Sequence, residues 1–90
     1  MQSYILVWNE GKDRNSKSRT SLNIDHLRKG LVRRFDWTRT SQVRVYTKSN
    51  MSYIGTMEST MDGFQWMIPG NGNSVPRTRR IDIRTGRLED

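Results

Sequence analysis

The stretch Ser3–Ser21, SYILVWNEGKDRNSKSRTS, decides the fold, because the first strand and whatever follows it are both written there. Its opening six residues, Ser3–Trp8, are rich in β-branched and aromatic side chains and read as a strand ending at the NEGK that follows. Both alternate sets, Tyr4, Leu6 and Trp8 against Ile5 and Val7, are apolar, the pattern of a central strand covered on both faces. Residues 9–21 are polar throughout and carry four cations, Lys12, Arg14, Lys17 and Arg19. They read as a mobile loop, long for a compact domain, that leads into a helix and takes part in binding.

Downstream, SLNIDHLRKGLVRRF gives the one convincing helix. Leu22 or Ile24, then Leu27, Leu31 and Phe35 recur at three-to-four-residue spacing and line one face. Ser21 or Asn23 can cap its start, Asp25 suits the positive N-terminal end, and Arg33 and Arg34 suit the negative C-terminal end. Arg28, Lys29, Arg33 and Arg34 lie off the apolar stripe, so a basic outer surface is expected.

After DWTRTS the period changes to two. QVRVYTK alternates Val43, Val45 and Thr47 with Arg44, Tyr46 and Lys48. A two-residue turn at Ser49-Asn50, with Asn50 supplying the positive φ, leads to MSYIGTMEST, and MDG turns that strand into FQWMI. PGNGNSVP, residues 69–76, reads as a second mobile loop. The closing VPRTRRIDIRTGRLED reads as a last strand, Ile81 and Ile83 on one face and Arg80, Asp82 and Arg84 on the other, charges that protect a sheet edge. The expected fold is a single small α+β domain over residues 1–90, a mostly antiparallel four- to five-stranded sheet with one helix packed on it, in the order β-α-β-β-β-β. The absence of alanine fits a strand-rich chain.

Composition narrows the chemistry. No cysteine rules out disulfides and thiolate metal sites, and a single histidine leaves little for acid–base catalysis or zinc. His26 and its neighbour Asp25 point about 100° apart on a helix, so their adjacency does not make an oriented base. Glu10-Gly11-Lys12 offers half of a metal-dependent nuclease site without the second carboxylate that converging metal ligands need. Gly11-Lys12 is no Walker A loop, and GNGN lacks the strand-before, helix-after setting of a dinucleotide loop. No metal or cofactor is expected from these residues, and none of them nominates an enzyme, the alternative being a small ribonuclease that works with arginine, lysine and tyrosine. No run approaches the ~18 apolar residues of a membrane span, and the N-terminal segment reads as a strand rather than a signal peptide, so a cytoplasmic, membrane-free protein is expected.

The charge is more telling. Of the formal net charge of +7, residues 12–48 hold eleven Lys or Arg against three acids, while residues 49–76 hold no base. Such asymmetry favours one positive surface and a polyanionic partner. The sequence therefore predicts a small non-enzymatic nucleic-acid-binding protein, of DNA or RNA, of the kind found among phage or plasmid accessory proteins. Lys12, Arg14, Lys17, Arg19, Arg28, Lys29, Arg33, Arg34 and Arg44 would neutralise phosphate, with Trp37 and Tyr46 as interleaved aromatics. The competing expectation is a protein-interaction module, a homodimer or an adaptor or inhibitor of an acidic protein. Its surface would be the base-free meander through Met51, Tyr53, Met57, Met61, Trp66 and Met67, since one helix covers only one face of a sheet.

Overall fold

The computed structural model describes residues 1–70 and 75–89. Six strands and one helix follow in the order β1 (Gln2–Glu10), β2 (Asp13–Ser21), α1 (Ile24–Arg34), β3 (Gln42–Thr47), β4 (Tyr53–Thr60), β5 (Gly63–Ile68) and β6 (Arg77–Arg80). They form one sheet with strand order β2-β1-β3-β4-β5-β6, every neighbouring pair antiparallel. The class expected from sequence holds, with six strands in place of four to five.

The extra strand is the segment read as a loop. Residues 13–21 pair with all of β1, from Gln2 opposite Ser21 to Glu10 opposite Asp13. Gly11 and Lys12 form the two-residue connection, and Gly11 takes φ 64°, a conformation that costs a residue without Cβ little. A polar segment can be a strand here because it lies at the edge of the sheet. Its backbone bonds to β1 on one side, and its long cationic side chains keep their heads in water. Lysine and arginine on such an edge also discourage pairing with another chain. Of the second expected loop, Pro69, Gly70, Val75 and Pro76 belong to no helix or strand, and residues 71–74 lie outside the described residues.

β1 is antiparallel to both β2 and β3, so those two run parallel with β1 between them, and α1 makes the crossover. Asn23 caps the helix, its side chain accepting from the His26 amide at 2.9 Å, so the start falls there rather than at Ser21. Leu27 and Leu31 press onto Tyr4 and Leu6 of β1, Val43 and Val45 of β3, Met57 of β4, Trp66 of β5 and Ile81 to form the core. Ile24 and Phe35 join its margin, whereas Leu22 is 61% exposed and outside the stripe.

Two turns differ from expectation. The β3–β4 connection spans Lys48–Ser52, and the left-handed residue is Met51, φ 55°, not Asn50. Asn50 instead accepts from the Ser52 amide through its side chain, an Asx turn. β6 ends at Arg80: Ile81 enters the core, the chain reverses between Asp82 and Gly86, and Leu88 returns to bridge Ile81. Ile83 is left half exposed on that reversal rather than sharing a strand face with Ile81.

Candidate nucleic-acid interface

Strand alternation decides which cations of β2 meet the helix. Arg19 stands opposite Tyr4 and Lys17 opposite Leu6, and both partners point into the core under α1. Arg19 and Lys17 therefore project on the helix side of the sheet. Along α1, Lys29, Arg33 and Arg34 come off the flank that faces β2. The result is a groove of about 300 Å³ between strand and helix, with Arg19, Lys29, Arg33 and Arg34 on its walls. It continues into a second recess of about 280 Å³ that shares Arg19 and Arg34 and adds Lys17.

None of these five cations makes a hydrogen bond or ion pair with another side chain among the described residues. At the groove's floor His26 Nδ1 lies 2.7 Å from the Oγ of Ser21, which is 4% exposed. This contact ties the end of β2 to the first turn of α1 and so fixes the spacing of the two basic walls. At the other end stand Glu10 and Asp36 with the rings of Trp8 and Phe35, centroids 4.8 Å apart and edge-on. The Asp36 carboxyl is held below its ordinary range, chiefly by hydrogen bonds from the Thr38 hydroxyl and amide and further by nearby Arg39.

The other predicted contacts are distributed elsewhere. Lys12 sits in the β1–β2 turn, and Arg14, opposite Asn9, projects from the far face of the sheet. Arg44 and Tyr46 also face away from the helix, in register with Val7 and Ile5. Arg28 is 6% exposed and bridges the fold: Nη1 donates to Asp25 at 2.8 Å and to the Gly86 carbonyl at 3.2 Å, with the guanidinium 4.5 Å from the Trp66 ring centroid. Desolvation lowers its pKa, and Asp25 opposes that shift. A cation enclosed in this way cannot reach a phosphate. Trp37 is half-buried, donates Nε1–H to the Leu31 carbonyl at 3.1 Å, and links Phe35 to Phe64 in a row of rings.

The expected apolar interaction surface is likewise divided. Met57 and Trp66 are core residues, 0% and 2% exposed. Met51 and Met61 occupy separate turns, both exposed. Tyr53 and Met67 lie on the face away from the helix, Tyr53 against Tyr46 with ring centroids 5.5 Å apart.

Sequence reasoning missed Trp8, Glu10, Phe35 and Asp36 as lining residues, because the groove exists only once β2 is a strand beside α1. Among the described residues no three His, Cys, Asp or Glu side chains gather where they could hold a metal ion, and no helix is long and apolar enough to cross a membrane. No protein-family model, curated protein or solved structure matches this chain.

Proposed function

We propose that this protein binds nucleic acid through its phosphate backbone, in the groove between β2 and α1. The observation that carries the reading is the convergence there of Lys17, Arg19, Lys29, Arg33 and Arg34 without an internal carboxylate partner. Five like charges held on two packed elements repel one another, and phosphate oxygens relieve that repulsion while accepting charge-assisted hydrogen bonds. The role is non-enzymatic, with no cofactor, in a cytoplasmic setting suited to a small accessory protein of a phage or plasmid. Titration of labelled single-stranded and duplex oligonucleotides by anisotropy at several salt concentrations tests it. With five phosphates engaged, log K against log salt should fall with a slope of about −3.5 for single strands or −4.5 for duplex. A flat salt dependence, or no binding at low salt, would rule the reading out.

A second reading, self-association, rests on the sheet face away from the helix. There Ile5, Tyr46 and Tyr53 fall on one cross-strand row, and on the next Arg44 and Met67 lie beside Val7 and Thr56, which are already buried. A sedimentation measurement at micromolar concentration that shows a strict monomer would remove it.

A further inference from the structure

The groove's second recess is unlike its first. A purely electrostatic phosphate track needs only cations, yet this end combines the exposed margins of Trp8 and Phe35 with the carboxylates of Glu10 and Asp36, beside Arg19 and Arg34. Acids next to a phosphate track weaken it, so their position calls for a reason in recognition. The Glu10 side chain makes no hydrogen bond among the described residues, and Asp36 uses one oxygen, Oδ1, for Thr38. A carboxylate oxygen on each is therefore open to a donor from outside. The volume of about 280 Å³ is just below the range of small-molecule sites, roughly 300–1,000 Å³, and suits one flat ring system better than two.

We propose that this recess takes a single unstacked nucleobase from a strand whose phosphates run along Arg19 and Arg34, with Glu10 and Asp36 accepting from its exocyclic amino group and Trp8 or Phe35 contacting its ring. The inference rests on the backbone-binding reading above and sharpens it: the ligand is single-stranded, because a base inside a duplex cannot leave its stack without cost. Carboxylates accept from the amino group of cytosine and repel the carbonyl oxygens of thymine and uracil. Cytosine, adenine and guanine are therefore preferred over thymine and uracil.

The test is anisotropy with labelled strands of about twelve nucleotides: oligo-dC, oligo-dT, an abasic strand of equal charge, and oligo-rC. Oligo-dC should bind about tenfold more tightly than the abasic strand, the effect of one stacked and hydrogen-bonded base. It should also bind several-fold more tightly than oligo-dT. Glu10→Gln should erase the dC-over-dT preference while tightening abasic binding, because it removes a negative charge near phosphate. Trp8→Leu should lower dC affinity toward the abasic value. If that variant fails to fold, Glu10→Gln carries the test alone. Oligo-rC binding more tightly than oligo-dC identifies RNA as the preferred strand, and weaker binding identifies DNA; both preserve the pocket. Equal affinity for abasic and dC strands overturns the base pocket and leaves the backbone groove standing. Absence of binding to every strand, the abasic one included, overturns both.

Discussion

The two edges of the sheet carry similar charge and treat it in opposite ways. On β6, Arg80 reaches the Asp62 carboxylate at 3.1 Å, donates to the Asp62 backbone carbonyl at 2.7 Å and lies 3.6 Å from Glu89, while Arg79 donates to the Glu89 carbonyl at 3.1 Å. On β2, Lys17 and Arg19 have no such partner among the described residues, and Lys29, Arg33 and Arg34 stand beside them equally unpaired. Charge satisfied within the chain is part of the frame. Charge left unsatisfied on one groove is a field directed outward, and under the proposed function it separates the candidate binding edge from a protective one even though both are rich in arginine.

The sharpest test of this contrast is to reverse one edge at a time. Combining Arg19→Glu, Arg33→Glu and Arg34→Glu should weaken oligonucleotide binding on the order of 100-fold at moderate salt and flatten the single-strand salt slope by about 2. Anisotropy measures both. Arg28→Ala provides an internal control on the same helix. Losing hydrogen bonds to Asp25 and Gly86 and the contact with Trp66 should cost about 2 kcal/mol, read as a fall in Tm of roughly 8 to 16 °C. Affinity measured well below the transition should stay within about twofold, and a binding loss as large as that of the groove variant would mean that Arg28 reaches ligand after all.

Arg80→Ala should have less effect. Its partners are exposed, so stability should fall by less than about 1 kcal/mol and binding should be unchanged. A binding loss comparable to that at Arg19 would erase the distinction between the edges. The smallest effect should come from acid. Arg80 and Thr60 hold the Asp62 carboxyl below its ordinary 3.8, so the folded state binds fewer protons there than the unfolded state. The contribution is complete above about pH 4 and fades as pH falls through the lowered value. Thermal melts from neutral to acidic pH should show Asp62→Asn removing a small part of the acid-side slope, and anisotropy at neutral pH should show binding unchanged.

Much of the sheet was legible because burial imposes period two. Val43 and Val45 alternate with Gln42 and Arg44, and Phe64, Trp66 and Ile68 recur at every second position with Gln65 and Met67 between them; the structure places each set against the core. The helix was legible for the same reason through Leu27, Leu31 and Phe35. β2 was not, because an edge strand buries so little that its pattern leaves few apolar marks. The available signal was Gly11 at the centre of two nine-residue arms, a hairpin cue that outweighs polarity. Lys17, Arg19, Lys29, Arg33 and Arg34 were singled out from charge alone, and the structure brings these five to one groove. Arg28 could not be separated from Lys29 by residue type. What separates them is Gly86, 58 residues away, whose carbonyl meets one and not the other. Met57 and Trp66 were misread as surface for a related reason. Trp66 is enclosed because Gly55, on the neighbouring strand, has no side chain and lets the indole lie against the backbone, where a Cβ would overlap it.

The Gly11 turn has a consequence for the order in which this molecule assembles. β1 and β2 close through two residues, so their zippering is among the most local and fastest events open to the chain, on a scale of roughly 1–10 μs for such hairpins. The groove's walls come from β2 and the helix that directly follows it, so the basic groove belongs to a contiguous early segment. The Arg28–Gly86 link must instead wait for the last residues to return across the whole sheet, and contacts of that sequence separation set the pace of folding. The basic groove is thus encoded in the shortest-range part of the topology, and the fold's final locking in its longest.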